Sequence, residues 1–261
     1  MIDIHTHILP GIDDGCSSVD ESLVMARLAV AEGVDTMLTT SHSAEWLQLG
    51  PLALMEEQIA TLQAAIDAAA IPLTLRPGIE VYLTPETPAH FAAGRVWTLA
   101  HSRYMLVETD FGQWPAYLER VLFELQVAGC VPILAHPERY GAIQRDPGLM
   151  YTLAARGILG QVTGNALAGV LGPAVQQCAL TLLEYGLVQV IASDGHGAFE
   201  GKRPPAVAAG LAVAADHLGA DAARAMLTTN PQHILDNTPL APEPRPIPPH
   251  RSFFSRLFGG G

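Results

Sequence analysis

The chain has 261 residues, 49% of them hydrophobic and 15% charged, and its 26 acidic against 14 basic side chains give a formal charge of −12. Such a length supports one large α/β domain or two smaller ones; no apolar run reaches the roughly 18–20 residues of a membrane span, and no basic region with an apolar core opens the chain, so the cytoplasm is the expected compartment. An acidic chain whose single lysine is Lys202 speaks against a nucleic-acid partner, and against anionic substrates too unless bound cations reverse the local field.

In chain order, Ile2 and Ile4 alternate with Asp3, His5 and His7, the period of a strand. Residues i and i+2 of a strand share a face about 6.6 Å apart, so His5 and His7 can lean toward one ion; two polar residues at a strand end are the alternative. Ser18 and Glu21 read as a capping box ahead of an amphipathic helix that Gly33 stops. Residues 34–40 read as a strand ending at Ser41-His42, and 52–70 as an Ala-rich helix. Residues 73–83 are extended and carry Glu80, and a short helix follows at 87–93. The strand 104–107 ends at Glu108. Helix 114–128 leads to strand 131–135, which ends at His136. Helix 149–156, strand 158–162 and helix 174–184 follow. The strand 187–192 runs into Ser193-Asp194-Gly195-His196, and helices at 204–217 and 220–227 close the pattern.

Seven apolar strands separated by helices indicate a buried parallel sheet. Their C-terminal ends carry His5 and His7, His42, Glu80, Glu108, His136, then Asp194 and His196. An open sheet gathers its site at one switch point, whereas a closed β/α barrel gathers strand ends from all round the ring, so a barrel is expected. Cys16, Cys130 and Cys178 are odd in number and far apart, which implies no disulfide framework. The positions six residues after them hold Ser22, His136 and Glu184, so the Cys-x5-Arg loop of thiolate phosphatases is not written here. Five of ten histidines fall at predicted strand ends beside Glu80, Glu108 and Asp194. Buried imidazoles and carboxylates need partners, and metal ions supply them.

This constellation resembles the PHP (polymerase and histidinol phosphatase) superfamily. The words Asp3-Ile-His-Thr-His, Asp13-Asp14-Gly15, His136-Pro-Glu-Arg-Tyr140, Ser193-Asp-Gly-His196 and Arg203-Pro-Pro205 are similar to those of the CpsB/YwqE-type tyrosine phosphatases of capsule and exopolysaccharide loci. The resemblance implies a single-domain, distorted (β/α)7 barrel of the PHP type over residues 1–238. It also implies three divalent ions, with manganese favoured and iron or zinc as alternatives. One would be held by His5, His7, Glu80 and Asp194. A second would be held by Glu80, Glu108 and His136, with Glu80 bridging. The third would be held by Asp14, His42 and His196. Arg139 and Arg203 would face the phosphate; an ion pair of Arg139 with Glu138 or Asp146, and a helix-start contact for Arg203, are the structural alternatives.

Four ligand carboxylates against three dications leave a pocket charge of about +2, which answers the objection to anionic substrates. In the implied mechanism a water shared by two ions is deprotonated near neutral pH and attacks phosphorus in line, without a cysteine nucleophile. Tyrosinate, with a conjugate-acid pKa of about 10, leaves with little protonation. The implied partner is the tyrosine-rich tail of a bacterial tyrosine autokinase that regulates capsule or exopolysaccharide synthesis. A small-molecule phosphatase such as histidinol-phosphatase and a PHP nuclease module are the rival functions. Two loops, after His42 (Ser43-Ala44-Glu45-Trp46) and after Thr163 (Gly164-Asn165-Ala166), depart from the words usual in those relatives. Residues 239–261 are rich in proline and expected to form a disordered tail. Its stretch 251–258 mixes Arg and Phe, so a contact with a membrane surface or the kinase is the sharper alternative.

Overall fold

The computed structural model describes residues 1–44 and 53–247. Its frame is eight strands: Ile2–Thr6 (β1), Thr36–Thr39 (β2), Thr74–Pro77 (β3), Glu80–Tyr82 (β4), Tyr104–Glu108 (β5), Val131–Ala135 (β6), Leu159–Thr163 (β7) and Val190–Ala192 (β8). Neighbours pair in parallel, in the orders β1-β2-β3 and β4-β5-β6-β7-β8. Two junctions join these sheets into a ring. Thr6 bridges Gly195, with the His7 amide donating to Gly195 O at 2.8 Å, and His42 bridges Glu80. The ring is a distorted β/α barrel, and both junctions fall at the strand ends that carry the expected ligands.

The extended run at 73–83 is broken. β3 pairs with β2 and β4 with β5, so the chain changes sheets between them. Gly78 sits at this crossing, where a Cβ would stand 3.0 Å from Leu99 Cδ2 and 3.2 Å from Thr40 Cγ2. The seven runs read from sequence thus become eight strands because close backbone packing interrupts one of them. β1 is irregular as well: the four residues from Asp3 to Thr6 face three from Met37 to Thr39. The extra residue is a bulge, a device that re-aims side chains beside active sites, and it lies where the chain reaches His5.

Alternation along the strands sorts two cores. Ile4, Leu38, Leu106, Ile133, Leu159 and Val190 pack together inside the ring, while Met37, Val107, Leu134, Val162 and Ile191 pack outward under the helices. Alternate residues of a barrel strand face the interior, so the polar residues that continue the inward rows at the strand tips are aimed at one mouth.

The helices follow the apolar periodicity, with informative shifts. Val19–Ala31 starts as expected, with Ser18 Oγ accepting from the Glu21 amide at 3.2 Å. The Glu21 carboxylate, however, accepts from Ser17 and not from Ser18. Ala53–Ala68 matches the Ala-rich prediction; position 52 lies outside the described residues. The helix expected from 114 begins at Leu118, because Pro115 restricts Trp114 and starts a turn. The helix expected from 204 begins at Ala208. Pro204 and Pro205 keep the preceding residues out of the helical region, and Glu32 Oε2 supplies the cap by accepting from the Val207 and Ala208 amides at 2.9 and 2.7 Å. Among the helices not expected from sequence, Thr229–Leu235 places Ile234 with the residues packed inside the ring.

Beyond it, the Tyr104 hydroxyl donates to Thr238 O at 2.7 Å and accepts from the Leu240 amide at 2.8 Å. The Arg245 amide donates to Tyr185 O at 2.8 Å. Residues 239–247 therefore run against the barrel, while stretch 251–258 lies outside the described residues. Among the described residues no helix is long and apolar enough to cross a membrane.

Candidate metal centre

Glu80, at the start of β4, is the hub. Its carboxylate, 1% exposed, is ringed by four imidazoles. Oε2 lies 3.2 Å from His5 Nε2, 3.4 Å from His7 Nε2 and 3.1 Å from His42 Nδ1, and Oε1 lies 2.9 Å from His136 Nε2. Asp194 Oδ1 adds a second carboxylate 3.5 Å from both His5 Nε2 and His7 Nε2. His5, His7 and Glu80 thus form one group able to hold an ion, with Asp194 beside it.

A second group is His42, Glu80 and Glu108, with His42 Nδ1 2.8 Å from Glu108 Oε1. A third is His7, Asp14, His42 and His196. Asp14 Oδ1 stands 3.3 Å from His196 Nε2 and 3.6 Å from His42 Nε2. All nine residues singled out as metal ligands meet at one mouth of the barrel. The grouping differs from the expected one at His42, whose Nδ1 faces the second group while its Nε2 faces the third. His136 meets the second group through the other oxygen of Glu80.

Several buried polar atoms here lack hydrogen-bond partners. They include Glu80 Oε2 and His42 Nδ1, whose close charged neighbours make no aligned hydrogen bond, and His136 Nδ1, and buried polar atoms without such bonds are costly. His5 Nε2 and His7 Nε2 face each other at 3.3 Å. Neighbours remote in the chain or in the loops set this orientation. His5 Nδ1 donates to Gln161 Oε1 at 2.8 Å, His7 Nδ1 to Asp13 Oδ2 at 2.7 Å, and His196 Nδ1 to Asp194 O at 2.9 Å. In each case a proton kept on Nδ1 lets Nε2 serve as the lone-pair donor into the site once any proton there is displaced, the arrangement of metal-bound imidazoles. The donor set fits divalent cations, and its mixture of nitrogen and oxygen without thiolate suits manganese or iron at least as well as zinc.

Asp13 and Gln161 were not among the residues expected from sequence. Asp13 stands in the Asp13-Asp14-Gly15 word, whereas nothing local in the sequence marks Gln161. Two ligands also sit on unusual backbone. His136 has φ 35° and Asp194 φ 52°, left-handed values that cost a non-glycine residue on the order of 1 kcal/mol or more and that collect at functional sites.

The two expected arginines converge on one atom. Arg139 Nη1 lies 2.9 Å and Arg203 Nη2 3.1 Å from Asp194 Oδ2. Asp194 thus offers Oδ1 to the histidines and Oδ2 to the arginines. Arg139 does not pair with the alternatives weighed from sequence. Glu138 accepts from the Thr163 amide and hydroxyl, and Asp146 from the Gly148 amide. Its guanidinium carbon sits 4.3 Å over the Phe111 ring, a contact with no marker in the sequence. Arg203 lies upstream of the helix Ala208–Leu218 and takes no part in its start.

Electrostatics follow from the crowding. Burial pushes the His7 imidazole down, but Asp13, Asp194 and Glu80 outweigh it and hold its pKa well above the ordinary value. His42 is likewise raised against burial by Asp14, Glu108 and Glu80. Burial pushes Asp13 up, yet His7 and two backbone amides bring it down to about 2. A cation entering must therefore displace protons from His7 and His42. Affinity should rise with pH through and beyond the ordinary imidazole pKa of about 6.5. Manganese titrations in buffers of different ionisation enthalpy are expected to report proton release, with tighter binding at about pH 8 than at about pH 6. Equal affinity at both values would contradict this electrostatic picture.

Burial also raises the thiols, Cys16 to about 11 and Cys130 and Cys178 to about 12. All three are buried and protonated at neutral pH, unlike nucleophilic cysteines.

A parallel barrel with imidazoles, carboxylates and two arginines gathered at its strand tips defines a metal-dependent hydrolase class. Within it, the chain belongs to the family described as capsular polysaccharide synthesis, CpsB/CapC, whose model matches residues 1–236. It is 36% identical over 196 residues to the tyrosine-protein phosphatase YwqE of Bacillus subtilis (strain 168), covering 75% of this chain and 77% of that one. It is 28% identical over 240 residues to the tyrosine-protein phosphatase CpsB of Streptococcus pneumoniae, covering 90% and 98%. Among solved structures, one described under YwqE from Bacillus subtilis and CpsB from Streptococcus pneumoniae as unique metal-dependent tyrosine phosphatases superimposes with a TM-score of 0.88 at 33% identity. That match covers 95% of this chain and 100% of the other. A TatD-family hydrolase from Entamoeba histolytica, at 10% identity and a TM-score of 0.54 over 91% of this chain and 98% of its own, shares the fold alone.

Proposed function

We propose that this protein hydrolyses phosphotyrosine in proteins, using three divalent ions, manganese foremost and iron or zinc as alternatives. The observation that carries this proposal is Asp194. It joins the histidine cluster to two arginines across a single carboxylate, so cation-binding and anion-binding groups share one mouth. Bound divalent ions would supply an activated water and positive charge for the phosphoryl oxygens.

The chain's own residues do the rest. His5, His7, Glu80 and Asp194 would hold one ion, Glu80, Glu108 and His136 a second with His42 beside them, and Asp14, His42 and His196 the third. Arg139 and Arg203, planar and permanently charged, would orient the phosphate and meet the negative charge that spreads over its oxygens. The Phe111 face holds Arg139 from behind. An aryl leaving group needs little proton donation, which matches a site whose acidic groups are taken up as ligands.

The names of the relatives support phosphotyrosine as the substrate and capsule or exopolysaccharide synthesis as the setting. The tyrosine-rich tail of a bacterial tyrosine autokinase is the partner of matching chemistry, met in the cytoplasm. Residues 1–238 form the catalytic unit, and the remainder is an appendage through which a membrane surface or the kinase could be reached.

The test is turnover of a phosphotyrosine peptide, histidinol phosphate and single-stranded DNA by the manganese-loaded protein. Preference for the peptide is expected. Preference for histidinol phosphate would reassign the substrate to small molecules, and cleavage of DNA would reassign the chemistry to a nuclease.

A further inference from the structure

Glu21 is fully buried and lies outside the metal centre, yet it gathers ties from two loops that border it. Its Oε2 accepts from the Ser17 amide and hydroxyl, both at 2.8 Å, and lies 3.4 Å from Lys202 Nζ; its Oε1 accepts from the Ala198 amide at 3.3 Å. Lys202 Nζ in turn donates to Gly15 O. Segment 13–17 carries Asp14, and segment 196–203 carries His196 and Arg203. The second segment is closed on itself, with the His196 and Gly197 amides donating to Arg203 O at 2.8 and 3.2 Å.

One glycine seats segment 13–17 against His7, and another lets Glu21 and Lys202 close on the second segment. A Cβ on Gly15 would stand 2.1 Å from His7 O, and one on Gly197 would stand 2.4 Å from Glu21 Oε1 and 2.6 Å from Lys202 Cδ. The arrangement matters most for Asp14. Its side chain is 69% exposed, so packing does not hold it opposite His196. The ligands around Glu80 lie on strands or just past their ends and are mostly buried, whereas the Asp14–His196 pair is fixed by how two loops meet.

We propose that Glu21 and Lys202 are positioning residues for the third ion: they clamp the loop of Asp14 to the loop of His196 and Arg203, and without them that ion is held more weakly while the two around Glu80 keep their affinity. This rests on the three-ion proposal above. Glu21 and Lys202 touch neither ion nor substrate and act through Gly15, Ala198 and Arg203.

The experiment is a manganese titration of the metal-free full chain by calorimetry, with metal per chain counted by mass spectrometry, for wild type, K202M, K202R and E21Q. The third equivalent is expected to bind about 10–100-fold more weakly in K202M and E21Q, the range found when supporting partners of metal ligands are removed. The first two should keep wild-type affinity, and K202R should recover part of the loss. Thermal unfolding of the metal-free proteins reports whether each variant is folded; if E21Q is not, K202M carries the test. An unchanged third equivalent in folded K202M overturns the proposal, and so does equal weakening of all three, which would make the clamp a general element of the fold. A wild type that holds only two ions overturns the three-ion count and this proposal with it, an outcome told apart by wild-type stoichiometry alone.

Discussion

Glu80→Gln is expected to lower hydrolysis of a phosphotyrosine peptide by about 10³-fold or more, since losing several kcal/mol of metal-supplied stabilisation corresponds to at least that factor. The substitution keeps the shape and removes the charge. Four imidazoles point at this one carboxylate, through Oε1 for His136 and Oε2 for His5, His7 and His42. Burial alone would raise the Glu80 pKa, but the surrounding histidines reverse this and hold it well below the carboxylate range, so the group is an anion when a cation arrives. A glutamine would place an amide donor or a neutral carbonyl where the proposed ions would meet a negative oxygen. Metal per chain should fall together with kcat, while the barrel, whose apolar cores do not involve Glu80, remains folded by circular dichroism. An E80Q protein with full metal content and activity within about tenfold of wild type would break the link between this carboxylate and the chemistry.

Arg139→Ala is expected to behave differently: metal content retained, kcat lowered by about 10²–10³-fold, as when one preorganised donor to a developing anion is removed. Arg139 sits between the Phe111 ring and Asp194 Oδ2, so its guanidinium is held in place before substrate arrives. Lysine should recover little, because a point charge neither stacks on the ring nor presents two parallel donors. Arg203→Ala should show the same split with a smaller loss, since Arg203 is the more exposed of the two. Steady-state kinetics decide the matter. A raised KM with unchanged kcat would mean that Arg139 binds the ground state and transition state equally. Loss of metal in Arg139→Ala would mean that it serves mainly to hold Asp194.

The strand-end residues that meet at this mouth were legible because strand periodicity places residues on faces and barrel closure brings strand ends together. His42, Glu108, His136 and Asp194 each end an apolar run, and that position alone suggested their meeting. The helix starts at Leu118 and Ala208 were read too early, because proline keeps the residue before it out of the helical region while hydrophobic periodicity continues regardless. The break between β3 and β4 was not visible, since it depends on Leu99 and Thr40 crowding Gly78.

By itself, then, the order of residues indicated the barrel and the eight polar residues at its strand ends, which follow from local alternation and the chemistry of each side chain, while Asp14 and the division into three ion sites came from the resemblance to the PHP superfamily. Only the tertiary structure decided how those ligands are shared. His42 faces two groups because its ring stands between Glu108 and Asp14, and His5 and His7 present Nε2 because Gln161 and Asp13 hold their Nδ1 protons. Which atom of an imidazole faces a cation, and which arginine meets which carboxylate oxygen, are set by partners remote in the chain, such as Gln161 across the barrel from His5, and distances of that kind exist only once the ring has closed.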